Sequence, residues 1–345
     1  YDVPSTLAHY EGLIYGTDKS VLFNYYNGTF EYTIDADGYL AFYDTSSGYN
    51  GTKAYTWQPD IYRQDDNCYE WNTPCSIFYT FNMIVDQVMD AEDGTDTQKR
   101  AVQAEARFWR AYYTYMMAQF FGKPYNATTA ATDLCVPTIK EASTVGVDFP
   151  RRTVADVYDY VLNDMTEALP HLVERSAHQD RIFHATGNAL LGKVHWMMGN
   201  YADALPYLKI AKDALDSDGG KKFINMNEII DEDWGEFTDY PFFNVSPETV
   251  LSILGMPNLW TALGPMFGTP HRTLRADIME DYFDTGDYRL AFFTGVDSGE
   301  TAYADFDPDD RYYPNSAWME SNEGITYSDV WLMYAECAAR EGDTG

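Results

Sequence analysis

The pattern of apolar and polar positions changes at about residue 76 of this 345-residue chain. Before that point, residues 1–75 are rich in Gly, Tyr, Asp, Asn and Thr without sustained periodicity, which predicts loops, short strands and one or two helical turns. From Ile77 to Val88, apolar residues recur at three- and four-residue steps, as one buried face of a helix requires. This recurrence predicts a first long helix over about residues 74–92.

Two further segments have the pattern of long amphipathic helices. Residues 97–121 form the strongest helical run, and Gly122 followed by Pro124 predicts its end. The next helix is expected to begin at Thr153, which is suited to cap it, and to run to Pro170. Its polar face is expected to carry Asp156, Asp159 and Asp164.

Residues 185–215 contain two helical patterns joined at Gly199, and they resemble a tetratricopeptide repeat. Small residues stand at Gly192, Ala204 and Ala211, where the two helices of such a repeat pack closely. The final segment, residues 331–345, matches the first helix of another repeat. Because a single helix of a repeat cannot bury its apolar face alone, we expect further helices beyond Gly345, so that the C-terminal part of the domain is missing from the sequence.

These patterns predict one mainly α domain over residues 1–345. A superhelical scaffold of tetratricopeptide-like helix pairs is expected over about residues 74–215 and 326–345. Loop-rich regions are expected over about residues 1–73 and 217–325, and the second of these is again irregular and aromatic. A long insertion of this kind in a helical array usually carries function.

Composition narrows the choice of ligand. The chain contains 29 Tyr and 8 Trp, more than a core of this size needs, so some aromatic rings are expected at the surface. Its net charge of −31 repels phosphate groups and anionic lipids, which excludes nucleic acid as a partner and favours a neutral ligand.

Motifs for catalysis and for cofactor binding are missing from the sequence. There is no His-Glu-x-x-His, no Gly-x-Ser-x-Gly, no phosphate-binding Gly-rich loop and no paired Cys-x-x-Cys, so we predict that the protein is not an enzyme and has no cofactor. One alternative stays open, because Asp305, Asp307 and Asp309 alternate as in a calcium loop. That loop lacks the glycine and the glutamate of an EF-hand, so a solvated acidic loop is the favoured interpretation over a calcium site.

The four cysteines fall into two groups. Cys68 and Cys75 flank a short aromatic segment and could close a disulfide loop in an oxidising compartment, although the sequence does not fix their separation. Cys135 and Cys337 are isolated and are expected to be buried thiols.

A candidate ligand-binding segment precedes the first long helix. Aromatic side chains can stack on the apolar C–H faces of a pyranose ring, while amide, carboxylate and guanidinium groups bond its hydroxyls. Residues 53–72 supply both kinds of group and are too polar to form a core. The candidate residues here are Tyr55, Trp57, Arg63, Asn67, Tyr69, Trp71 and Asn72.

Residues 104–125, AEARFWRAYYTYMMAQFFGKPY, resemble a signature helix of the SusD/RagB family of nutrient-binding proteins. That helix has the pattern Glu-Ala-Arg-Phe-x-Arg-Ala-x-x-Tyr and ends in Phe-Gly, with Pro shortly after. Residues 151–172, 185–215 and 327–343 resemble further helices of the family in the same order. The resemblance extends from about Ser76 to the end of the chain.

The resemblance implies an outward-facing outer-membrane lipoprotein that is attached by a lipid on an N-terminal Cys. Such a protein captures a nutrient, usually a glycan, and delivers it to a SusC-like TonB-dependent transporter. The family builds its ligand face from the loop before the signature helix and from the later insertion, which adds Trp260, Tyr312 and Trp318 to the candidate residues. Some relatives capture peptides instead.

Other interpretations stay open at this stage. A tetratricopeptide scaffold would bind a peptide on its helices, near His195 and Tyr207, and a glycoside hydrolase would need only two suitably placed carboxylates.

The signature charges Glu105, Arg107 and Arg110 are expected to fasten helices together rather than to contact a ligand. Trp109 and Trp196 lie on regular helical stripes and are expected in the core.

Overall fold

The computed structural model describes residues 3–17, 36–37, 62, 68–143, 148–176, 178–217, 221–231, 236–237, 247–255, 273–274, 283–284, 286–295, 312–314, 321–322 and 324–342. The fold is mainly α, as predicted. The helices are α1 Leu7–Gly16, α2 Tyr69–Gln87, α3 Asp96–Phe121, α4 Val154–Ala168, α5 His184–Met197, α6 Tyr201–Ser217, α7 Met226–Ile229 and α8 Tyr327–Arg340.

The strands of the described residues are all two or three residues long. They are β1 Ala36–Asp37, β2 Ile230–Asp231, β3 Glu236–Phe237, β4 Thr249–Leu251, β5 Leu254–Gly255, β6 Thr273–Leu274, β7 Phe293–Gly295, β8 Tyr312–Pro314, β9 Ser321–Asn322 and β10 Ile325–Thr326. Their pairing is antiparallel in a four-stranded sheet of order β1-β6-β8-β7 and in the pairs β10-β4, β2-β3 and β5-β9.

Threonine caps define where several helices begin. Three helices begin with a capping box: Thr95 caps α3, Thr153 caps α4 and Thr326 caps α8. In each, the threonine side chain accepts a hydrogen bond from the backbone N–H of the third helical residue, and the side chain of that residue accepts one from the threonine N–H. The cap at Thr153 confirms the predicted start of α4. Helix α2 begins at Tyr69, five residues before the predicted start.

Helix α1 lies within residues 1–75, where one or two helical turns are expected, but the sequence does not locate it, because it buries only Tyr10 and Ile14 of its ten residues. Two apolar positions are too few for a periodic pattern to stand out. Its capping box pairs Thr6 with His9 instead of the usual Glu or Gln, so the sequence signal for its start was also absent.

Helix α3 forms the centre of the core and packs against α1, α2 and α4. Phe81 of α2 stacks on Trp109 and Tyr113 of α3, with ring centroids 6.5 and 6.1 Å apart, and all three side chains are buried. Trp109 is therefore a core residue, as predicted. Trp196 is only half-buried, and its Nε1 donates to Glu336 across the α5–α8 contact at 2.8 Å.

A buried ionic network joins α3 to α4 and α2. The Asp164 carboxylate accepts hydrogen bonds from Arg107 Nε at 2.7 Å and from Arg110 Nε and a terminal Arg110 nitrogen, both at 2.9 Å. The other terminal nitrogen of Arg110 donates to Asn82 Oδ1 at 2.8 Å. Because a buried charge needs a charged partner, this set of contacts fixes the three helices relative to one another.

The prediction that Asp164 lies on the polar face of α4 is wrong, since its side chain is only 3% exposed. It follows Val157 by seven positions and Val161 by three, which places it on the buried stripe of the helix.

The signature residues Arg107 and Arg110 fasten helices together, as predicted. Glu105 also does so, because Arg181 Nε donates to both of its carboxylate oxygens at 2.6 Å.

Helices α5 and α6 form the predicted repeat pair. Gly199 joins them with a φ of 77°, a left-handed conformation that favours glycine. A Cβ added at Gly192 would lie 2.7 Å from Leu208 Cγ, so the close helix contact requires a residue without a side chain. Helix α8 packs against α6, and β10, which precedes it, pairs with β4 inside the long insertion.

The cysteine predictions have different outcomes. Helix α2 contradicts a disulfide between Cys68, its N-cap, and Cys75, because seven residues of helix rise about 10 Å and a disulfide needs Cα atoms about 4.4–6.8 Å apart. Cys135 and Cys337 are buried, as predicted. Burial raises the pKa of Cys337 to about 11, so its thiol stays protonated at neutral pH.

We expect Asp164→Asn to lower the free energy of unfolding by about 3–5 kcal/mol, because it leaves the buried Arg110 guanidinium without its counterion. Urea unfolding followed by circular dichroism measures the change. Asp213→Asn is the matched control, since this carboxylate forms an exposed pair with Lys209 and its loss should leave the unfolding midpoint within error of the wild type. Equal midpoints for the two variants would contradict the role given to the network.

Two helical glycines give an opposed pair of substitutions. Gly192→Ala should destabilise the protein by about 1–3 kcal/mol, because its methyl group meets Leu208 in the α5–α6 contact. Gly12→Ala in α1 should stabilise it by about 0.5–1 kcal/mol, since a Cβ there has no atom within 4 Å and alanine favours the helix. Thermal unfolding of both variants tests the sign of each effect, and stabilisation by Gly192→Ala would refute the close packing.

Candidate functional site

The N-terminus of α2 lies against the C-terminus of α3. The Trp71 ring meets the Phe121 ring edge to face, with centroids 5.0 Å apart and planes at 82°, and Phe121 also contacts Phe120. Trp71 is half-buried and packs on the core, whereas Asn72 is exposed. The candidate segment over residues 53–72 therefore reaches the framework at this end of the α2–α3 pair.

Trp71 is only half-buried, so it is neither a core ring nor a fully exposed one. Its edge contact with Phe121 holds the indole in place, and part of the side chain stays accessible. An aromatic ring held in this way loses little conformational freedom on binding a ligand. Trp71 can thus anchor the candidate segment and also contact a ligand.

Buried aromatic contacts support this end of α3. Tyr158 of α4 lies edge-on to Tyr115, and its hydroxyl accepts a hydrogen bond from Gln119. Burial raises the pKa of Tyr158 to about 12, so the hydroxyl is neutral at physiological pH. These contacts hold the last turns of α3, from which Phe121 reaches Trp71.

The four-stranded sheet connects the two loop-rich regions. In β1, Ala36 and Asp37 pair with Leu274 and Thr273 of β6, which brings together residues that are more than 230 positions apart in the sequence. Strand β8 then pairs with both neighbours, with Tyr312 opposite Leu274 on one side and Gly295 on the other. The first loop region and the long insertion therefore form one sheet.

Of the ten candidate residues, Trp71 and Asn72 have described side chains. Tyr69 and Tyr312 are described only through their backbone, in α2 and β8. Six candidates lie outside the described residues, namely Tyr55, Trp57, Arg63, Asn67, Trp260 and Trp318.

The helical surface of the repeat shows a different kind of contact. His195 of α5 stacks on Tyr207 of α6, with centroids 5.7 Å apart and planes 8° from parallel. Burial lowers the pKa of His195, which favours the neutral ring. These two residues, which a peptide-binding scaffold would use, therefore contact each other across the repeat.

Within the ranges given above, no group of three or more His, Cys, Asp or Glu side chains is placed to hold a metal ion. The acidic run at Asp305, Asp307 and Asp309 lies outside those ranges, so calcium at that loop stays a prediction. In the same described ranges, no helix combines the length and the apolar content needed to cross a bilayer.

The sequence is similar to a family of known proteins. Residues 8–195, more than half of the chain, match the model of a SusD-like family described as starch-binding and associating with the outer membrane. This chain belongs to the SusD-like family. Proteins of the family are binding proteins, and the family is associated with the outer membrane. A search of curated proteins gave no match.

Solved structures of SusD-like proteins have the same fold. A SusD superfamily protein from Bacteroides vulgatus ATCC 8482 has a TM-score of 0.72 and 16% identity, over 98% of this chain and 76% of that chain. One from Bacteroides thetaiotaomicron VPI-5482 has a TM-score of 0.68 and 19% identity, over 98% and 77% of the two chains. A protein named a laminarin-binding SusD-like protein has a TM-score of 0.55 and 16% identity, over 97% and 80%.

Proposed function

We propose that this SusD-like protein binds a neutral glycan where α2 begins and α3 ends. The observation that carries the proposal is the pairing of a held aromatic ring, Trp71, with an exposed amide, Asn72, at this end of the framework. A ring can stack on the apolar face of a pyranose while an adjacent amide bonds its hydroxyls. Trp71 and Asn72 would supply both kinds of contact.

Charge and family both support a neutral glycan. The net charge of −31 repels anionic ligands but leaves an uncharged sugar unaffected. The family is described as starch-binding, and a relative with the same fold is named for binding laminarin. Soluble starch and laminarin are therefore the first ligands to test.

We extend the proposed face to the loops on either side of the sheet. The pairing of β1 with β6, and of β6 with β8, supports a face built from both loop-rich regions. The residues that we propose to complete it are Tyr55, Trp57, Arg63, Asn67, Tyr69, Trp260, Tyr312 and Trp318.

The proposed role is capture without catalysis. The sequence has no recognised catalytic motif, and proteins of the SusD-like family are binding proteins. Prolonged incubation with a bound glycan should therefore release no reducing sugar. Release of reducing ends would favour the glycoside hydrolase interpretation instead.

We also propose a place and a partner for the protein. The outer-membrane association of the family supports an outward-facing lipoprotein, attached by an N-terminal lipid, that passes its glycan to a SusC-like TonB-dependent transporter. The calcium alternative at Asp305 would add a bound ion to the same loop region, and it is not required for the proposed function.

Isothermal titration with laminarin and soluble starch tests glycan binding. We expect saturable heat with at least one of them, and we expect Trp71→Ala to weaken it about tenfold, as the loss of about 1.4 kcal/mol from one aromatic contact would do. Trp71→Phe should retain most of the affinity, because a ring remains to contact Phe121 and the sugar.

Phe223→Ala provides the control for this titration, since Phe223 is also an exposed ring but packs near Trp331 on α8. Its affinity should equal that of the wild type. If Trp71→Ala keeps both its fold and its affinity, the proposed face is wrong. Heat with peptides and with no glycan would identify a peptide-capturing member of the family.

Purification from native outer membranes tests the partner. The full-length tagged protein, extracted in a mild detergent, is expected to copurify with a large β-barrel protein of the TonB-dependent class, identified by mass spectrometry. An untagged strain and an unrelated tagged lipoprotein serve as controls. The proposed delivery would be contradicted if the protein is recovered without such a barrel under extraction conditions that keep other membrane complexes intact.

A further inference from the structure

Phe121, whose ring contacts Trp71, is the last residue of α3. The last turn of a helix is its least constrained part, because the final carbonyl groups have no partner within the helix and the end frays. The position of the Phe121 ring therefore depends on the contacts that other elements make with the end of α3. The position of Trp71 depends on the same contacts.

Tyr158 of α4 contacts the chain on both sides of Phe121. Its hydroxyl accepts a hydrogen bond from the side chain of Gln119, two residues before Phe121. Its ring lies 5.1 Å from the ring of Tyr125, four residues after Phe121, with the planes at 60°. The side chain of Tyr158 is fixed in the core, since only 2% of the residue is exposed.

The backbone between these two contacts is closely packed. A Cβ added at Gly122 would lie 2.6 Å from Cys135 Sγ and 2.6 Å from the Ala118 carbonyl oxygen, and Cys135 is fully buried. The Gly122 N–H donates to the same Ala118 oxygen at 2.8 Å. The chain thus leaves α3 along one path, and Tyr158 holds the two sides of that path.

We infer that Tyr158 is a positioning residue of the glycan face, which fixes the Phe121 ring and, through it, the Trp71 ring. The inference rests on the proposed function, because it is the proposed function that gives Trp71 its contact with the sugar. A ring that is held before a ligand arrives loses less conformational entropy on binding than a mobile one. Tyr158 therefore raises the affinity for the glycan from the core, without touching the ligand.

Titration with laminarin or soluble starch, whichever binds to the wild type, tests this role. Tyr158→Phe removes the hydroxyl that binds Gln119, and we expect it to weaken glycan binding about threefold. The same substitution in a Trp71→Ala background should cause no further loss, because Tyr158 acts through Trp71. Full affinity in Tyr158→Phe, or an equal loss in both backgrounds, would overturn the inference.

Two control variants separate positioning from a general loss of structure. Tyr160→Phe also removes a buried tyrosine hydroxyl from α4, but the Tyr160 ring lies 5.9 Å from Arg110 Cζ, about three turns of α3 before Phe121. Gly192→Ala is expected to destabilise the α5–α6 contact. Both should bind the glycan as the wild type does, with circular dichroism confirming the fold. A loss in either control as large as that in Tyr158→Phe would contradict a positioning role.

Fluorine NMR of the protein labelled with 5-fluorotryptophan tests the positioning without a glycan. The Trp71 resonance is the one that disappears in Trp71→Phe. We expect Tyr158→Phe to shift and broaden it and Tyr160→Phe to leave it unchanged. An unchanged Trp71 resonance in Tyr158→Phe would refute the inference. A changed resonance in a protein that binds no glycan would support the positioning of Trp71 and refute the proposed function instead.

Discussion

A carboxylate buried between two guanidinium groups sets the geometry of the framework. Asp164 is fixed by Arg107 and Arg110, and Arg110 continues the network to Asn82. An unpaired charge in this environment would cost several kcal/mol, so α2, α3 and α4 have one favourable arrangement. Asn82 also donates to the carbonyl oxygens of Ile139 and Glu141, so the same network reaches the chain beyond the end of α3.

The proposed glycan face depends on the same framework. Helix α3 carries the network near its middle and presents Phe121 at its end, and Phe121 holds Trp71. The sheet that joins β1 to β6 and β8 brings two segments of the chain together that are more than 230 residues apart in sequence, Ala36 pairing with Leu274. Helices thus provide rigid support, while short strands connect the loops from which the proposed ligand face is built.

Much of the helical part could be predicted from the sequence, because its signals are local. The apolar stripe of α3, its Gly122 terminus and the Thr153 cap each lie within a few residues of the boundary that they determine. For Asp164, the position on the helix indicated burial, but an aspartate suggested exposure. Its burial is possible because Arg110 and Arg107, 54 and 57 residues away in the sequence, pair with its carboxylate. For the site, composition indicated aromatic contacts, but the Trp71–Phe121 contact arises from tertiary packing that no local pattern encodes.

A crystal structure of the protein with a bound laminarin or starch oligosaccharide tests the central claim most directly. We expect sugar density against the accessible side of Trp71, within hydrogen-bonding reach of Asn72, next to the loops that the β1-β6-β8-β7 sheet connects. Density on the α5–α6 surface near His195 and Tyr207, with none at Trp71, would contradict it.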